Sequence, residues 1–151
     1  MTIFSYVGVK LTVNQVFAFM PSIFSRIIKG EIPCNKIAES DQFFAFLDIL
    51  PISEGHTLVV PKLEIDYLYD LEDQLLGSMM IWSKKIAHAI DESLSPLRTG
   101  IIVQGLEVPH AHIHLVPLYK PSQEMSLAKP TSVSEERMQE IAASIQSAIK
   151  P

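Results

Sequence analysis

The chain reads as an α+β domain, a mainly antiparallel sheet with one long central helix, and three observations predict it. Short runs of alternating or β-branched residues recur between residues 36 and 116, bounded by Pro, Gly and Ser-Asp turns, which is the signature of strands. Between them lies one extended 3.6-period stripe at residues 71–93. No strand–helix–strand rhythm repeats, as a parallel sheet would require. At 151 residues the chain is one domain's worth and can bury a real core. Its 48% hydrophobic and 19% charged residues are globular proportions. A net charge of −5 argues against nucleic-acid binding through a basic surface, though a small phosphorylated ligand needs only local donors. One cysteine allows no intrachain disulfide framework, which fits a reducing, cytoplasmic setting.

Residues 1–20 are apolar-leaning with Lys10 as their only charge, and read as an extension outside the core that follows from an upstream start, with Met20 opening the domain. Asn14 and Gln15 break the apolar stretch, so it does not suit a membrane span, and a weak signal peptide is the second reading. The domain itself takes residues 21–119. Ile23, Phe24, Ile27 and Ile28 share a helical face, with Ser22 as cap and Gly30 as stop. Lys36–Glu39 and Phe43–Ile49 read as strands around a Ser40-Asp41 turn. The turn-rich run 51–55 leads into a β-branched strand, His56 to Val60, closed by Pro61. The long helix spans roughly Leu71 to Ser93, with acidic Asp70, Glu72 and Asp73 at its positive end. Leu76, Met79, Met80, Ser83, Ile86, Ala87 and Ile90 form its inward stripe, Trp82 packs beside them, and His88 reads as a packing residue. Ser95-Pro96 ends it, and Thr99–Gln104 resumes as strand. Residues 120–151 are a Pro-containing linker and a last helix from about Ser134, with Met138, Ile141, Ala142, Ile145 and Ile149 inward.

Three of the five histidines, His110, His112 and His114, alternate with Ala111, Ile113 and Leu115. On a strand this puts three imidazoles on one face, roughly 6.5–7 Å apart. Imidazole changes charge near neutral pH and can act as base, nucleophile or metal ligand. Structural need rarely lines up three. Two chemistries fit: a metal site, or a histidine acting directly on an electrophile. A metal site needs a further ligand, for which His56, Glu107 and Cys34 are the candidates. No Cys-x-x-Cys or His-Glu-x-x-His signature supports it, so direct histidine chemistry, with no metal and no cofactor, is the first reading.

The run His110-Ala111-His112-Ile113-His114-Leu115-Val116 resembles the His-x-His-x-His-x-x pattern that names the histidine-triad (HIT) family. Ile23 to Pro33 resembles that family's opening; Ala45 to Ile49 and Gly55 to Lys62 resemble its middle. The pieces occur in order from about Ile23 to Pro117.

The resemblance implies an HIT-like fold of the nucleotide-binding Hint-like branch. It further implies a hydrolase or transferase attacking the α-phosphate of a purine nucleoside phosphoramidate or related conjugate. His112 falls where the family has its nucleophile, forming a covalent nucleotidyl-imidazole. His110, His114 and His56 flank it as donors or acid. Asp48 falls where the family holds the ribose hydroxyls. Ile23, Phe24, Ile27, Phe46 and Ile49 fall where it sandwiches the base. Gln104 and Val108, in the connection before the triad, are counted with the nucleotide-binding residues. Glu107 departs from the pattern, standing where relatives often put a hydroxyl; a carboxylate there would favour a cationic leaving group such as an amine. The family commonly forms symmetric dimers, so a homodimer is expected, with no nucleic-acid or membrane partner. Two other readings stay open: a metal-dependent enzyme or sensor on the same histidines, and a nucleotide-binding regulatory module.

Overall fold

The computed structural model describes residues 2–6, 9–12 and 20–151, with side chains from residue 20 onward. β1 (Thr2–Tyr6) and β2 (Val9–Thr12) pair antiparallel as a separate two-stranded sheet. The expectation of an extension over residues 1–20 otherwise falls outside the described residues.

α1 (Ile23–Ile28) starts where expected: the Ser22 hydroxyl accepts the Ser25 N–H, and Gly30 ends the turn at φ +77°. The main sheet follows, built from β3 (Lys36–Glu39), β4 (Phe43–Leu47), β5 (Thr57–Pro61), β6 (Arg98–Ile102) and β7 (Ile113–Leu118). Its order is β3-β4-β5-β7-β6 and every pairing is antiparallel. The long helix α2 (Asp73–Leu94) and the last helix α3 (Glu135–Ala148) cover one face.

The central strands β4, β5 and β7 bury both faces, and the period of two sorts their side chains. Phe43, Ala45 and Leu47 join Val59, Ile113, Leu115 and the helices in the larger core. Phe44, Phe46, Leu58 and Val60 face the other way, onto Phe24 of α1. The register places Phe46 opposite Leu58, Leu58 opposite His114, and His114 opposite Ile102. Paired residues share a face, so the apolar row under α1 runs directly into the triad. Met79, Ile86 and Ile90 are fully buried on α2. At ~1.5–3 kcal/mol per buried side chain they outweigh the ~1 kcal/mol that Gly77 costs inside the helix.

Several boundaries differ from the sequence reading, for identifiable reasons. β4 stops at Leu47 because the Asp48 carboxylate accepts the Leu50 N–H at 2.9 Å and turns the chain. β6 occupies Arg98–Ile102 rather than Thr99–Gln104, its ladder ending where Ile102 meets His114. The histidine strand begins only at Ile113, since the N–H groups of His110 and Ala111 are taken by the carbonyls of Val108 and Ile65. On α2, Met80 is 42% exposed rather than inward, lying about 100° round the helix from Met79. Ala89 takes a core position instead. His88, read as a packing residue, is exposed on the solvent side.

Candidate active site

The site sits where three backbone segments converge: the β4–β5 connection, the approach to β7, and the first turn of α1. His56, His110, His112 and His114 are all buried, at 1%, 0%, 7% and 6% exposure. The His112 and His114 rings stack edge-on with centroids 4.8 Å apart, and His56 lies 5.1 Å from His114. Phe24 closes the row, 5.8 Å from His110 and 5.1 Å from His112. The triad therefore shares one face although only His114 lies in the ladder.

Backbone groups fix the proton positions. Nε2 of His110 lies 2.7 Å from the Pro61 carbonyl, so it must carry the proton and donate. Its Nδ1 then accepts from the Ser22 hydroxyl at 2.6 Å. Nδ1 of His112 lies 2.7 Å from the carbonyl of His110 and donates to it. In a neutral ring this leaves Nε2 as a lone pair. On the other side, the Ile52 N–H donates to Nδ1 of His56 at 3.2 Å, so Nε2 of His56 holds the proton. That proton goes to Nδ1 of His114 at 2.9 Å, which puts the remaining proton of His114 on its Nε2. A lone pair on His112 and an uncommitted N–H on His114 stand side by side.

Burial reinforces neutrality. It pushes His114 down to about 3, helped by the adjacent His112 and His56 rings. Burial likewise lowers His56, against the opposing pull of Asp48. For His110 burial again dominates, against the Pro61 carbonyl and the charge of Glu64.

Asp48 follows β4 and stands opposite the start of β5, with its Oδ2 3.6 Å from Nε2 of His56 and 3.9 Å from Nδ1 of His114. Asp48, His56 and His114 thus bring three potential ligand atoms within 4.8 Å of one another. The donor set does not fit a metal. A ligating His56 Nε2 would need its proton on Nδ1, where the Ile52 N–H already points. Both nitrogens of His110 are committed as well. Glu107 and Cys34 are not in this group of ligand atoms.

Among the apolar candidates, Phe24 and Phe46 pack edge to face at 5.5 Å, with Ile27 and Val108 against the same cluster. Ile23 and Ile49 are exposed, Ile49 at 77%, so neither is core. Gln104 and Glu107 are exposed in the connection before the triad. Three contributors escaped the sequence reading. Glu64 accepts the Ser22 N–H at 3.1 Å and the Ser25 hydroxyl. Ser22, read only as a cap, also holds His110. The Ile52 N–H sets the tautomer of His56. Ser22-x-x-Ser25 at a helix start was a visible signal; Glu64 carried none, because its partners meet it only in the folded chain, and Ile52 acts through a backbone N–H that no side chain announces.

A family model described as the HIT domain matches residues 29–121. The chain is 36% identical over 135 residues to the adenosine 5'-monophosphoramidase of Schizosaccharomyces pombe, covering 87% of this chain and 100% of that one. Among solved structures it is similar to a HIT-like protein involved in cell-cycle regulation from Bartonella henselae. That match has a TM-score of 0.74 and 28% identity, over 84% of this chain and 95% of the other. A Zn-bound histidine triad family protein from Mycobacterium smegmatis matches with a TM-score of 0.73 and 28% identity, over 84% and 91%.

Proposed function

Because the chain belongs to the HIT-domain family, we propose that it is a phosphoramidase-like nucleotide hydrolase that attacks the α-phosphorus of a purine nucleoside phosphoramidate through His112. The observation that carries the reading is the bond from His112 Nδ1–H to the His110 carbonyl, which presents Nε2 as a nucleophilic lone pair. Nε2 bonds to phosphorus as the bond to the leaving amine breaks, and the amine takes a proton from solvent. Water then attacks phosphorus and breaks its bond to His112, releasing nucleoside monophosphate, returning a proton to solvent and restoring the ring. The Nε2–H of His114 stabilises charge on the phosphoryl oxygens, and His56 holds it in that tautomer. Asp48 receives the ribose hydroxyls, and Phe24, Phe46, Ile23, Ile27 and Ile49 form the walls for the base, with Gln104 and Val108 at its edge. Glu107 favours a cationic leaving group; Glu107→Ser then lowers the rate ratio of amine to phosphate leaving groups, and an unchanged ratio counts against that role.

The proposed assembly is a homodimer joined through β6, an outermost strand of the sheet. Exposed Ile101 on β6 and Ile81 on α2 flank a groove there, over a buried Ser83 hydroxyl without a partner among the described residues. A cytoplasmic location and a domain over residues 21–119 belong to the same proposal, the first supported by the lone cysteine. No helix among the described residues is long and apolar enough to cross a membrane.

The deciding experiment incubates metal-stripped protein with an adenosine phosphoramidate, following nucleotide release and intact mass. Turnover with a nucleotidyl adduct on His112, abolished in His112→Ala while nucleotide binding persists, is expected. Turnover that survives His112→Ala but not His110→Ala, or that returns only with added metal, overturns the assignment.

A further inference from the structure

We propose that Ser22, gripped by Glu64, is a positioning residue for His112: it pins the His110 ring, whose own backbone carbonyl aims the nucleophile. His110 makes no direct use of its ring in the reaction above, yet both ring nitrogens are bonded, to the Ser22 hydroxyl at 2.6 Å and the Pro61 carbonyl at 2.7 Å. A fully buried imidazole held at both ends cannot rotate. Its backbone is held too, by the Val108 carbonyl on its N–H at 2.8 Å and the Ile65 carbonyl on the N–H of Ala111 at 2.6 Å. The His110 carbonyl is therefore a fixed acceptor for His112 Nδ1–H.

Ser22 is anchored in turn. Its oxygen accepts the Ser25 N–H at 3.0 Å, and its N–H donates to Glu64, which also takes the Ser25 hydroxyl. One carboxylate oxygen thus clamps the first turn of α1. Burial acts to raise the Glu64 carboxyl, but the bonds from Ser25 and Ser22 prevail and hold it below the usual range. The helix that carries Ile23, Phe24 and Ile27 of the proposed base wall is by this route tied to the nucleophile. Disturbing the clamp should change the rate of the chemical step rather than the affinity.

The kinetic half of this inference rests on the covalent-histidine reading; the geometric half does not. The test uses the full chain with 15N-labelled histidine as wild type, Ser22→Ala, Ser22→Thr and Glu64→Ala. Ring-nitrogen spectra report the hydrogen bonds of His110 and His112, and adenosine phosphoramidate gives kcat and KM. Ser22→Ala should keep both tautomers, which the Pro61 and His110 carbonyls hold. It should shift the His110 Nδ1 signal as that nitrogen loses its donor, and the His112 Nδ1–H signal as its acceptor loosens. It should also lower kcat roughly ten- to hundredfold with KM within about twofold, and Ser22→Thr should restore the signals and the rate. Glu64→Ala, whose side chain lies outside the core, should lower kcat severalfold and carries the test if Ser22→Ala does not fold. An unchanged His112 Nδ1–H signal, a change in KM alone, or failure of threonine to restore the wild-type pattern overturns the proposal. Ring-nitrogen signals that shift as expected in the variants, with no turnover by the wild-type chain, would instead count against the proposed reaction and leave the positioning role standing.

Discussion

His56 donates its Nε2 proton to Nδ1 of His114 across 2.9 Å, and that contact decides which nitrogen of His114 is free to face a substrate. The direction is imposed by the Ile52 N–H on the far side of the His56 ring. His56→Phe keeps a ring but leaves the buried His114 Nδ1 without a donor. Losing one such bond costs ~1–3 kcal/mol, so kcat should fall roughly ten- to hundredfold. Steady-state kinetics with adenosine phosphoramidate checks this, and an unchanged kcat would remove His56 from the site.

Acid should destabilise this fold earlier than its carboxylates alone would predict. His56, His110 and His114 are each held below the ordinary histidine value, His114 at about 3. Below ~6.5 the unfolded chain binds protons that the folded chain refuses, so unfolding gains on folding as pH falls. Each such group contributes about 1.4 kcal/mol per pH unit once protonated in the unfolded state alone. The stabilisation is complete above pH 6.5 and is lost on the way down toward 3. Tm measured from pH 7.5 to 4.5 should drop steeply; a flat profile would mean that these rings are protonated in the folded protein.

Gly55 should resist substitution. It holds φ +88° in the turn before His56, and an added Cβ would run into Leu94 and lie 3.1 Å from Pro117. The positive φ alone costs a side chain ~1–2 kcal/mol. Gly55→Ala should lower stability by at least that amount in a denaturant titration, and should lower activity because the same turn delivers Ile52 to His56. Wild-type stability would show that the turn relaxes freely.

The proposed dimer face predicts a clean split between assembly and fold. Ile81 and Ile101 are exposed on α2 and β6, so Ile81→Glu with Ile101→Glu should leave the melting of secondary structure cooperative. Light-scattering mass should fall from two chains to one. An unchanged mass would move the interface elsewhere or abolish it.

Much of this was written in local pattern. The continuous apolar run Phe43–Leu47, the alternation in His110–Leu115, the 3.6-period stripe through Met79, Ser83, Ile86 and Ile90, and the Ser22 and Gly30 punctuation mark elements, because each depends only on near neighbours along the chain. The spacing of His110, His112 and His114 marked the chemistry for the same reason. What the sequence by itself could not determine is which nitrogen of each ring carries the proton. That was decided by the carbonyls of Pro61 and His110, the N–H of Ile52 and the hydroxyl of Ser22. Two of these four partners, Pro61 and Ser22, come from distant segments, and only tertiary packing brings them to the His110 ring. An imidazole's reactivity is set by the group that holds its far nitrogen, and no periodicity records who that group will be.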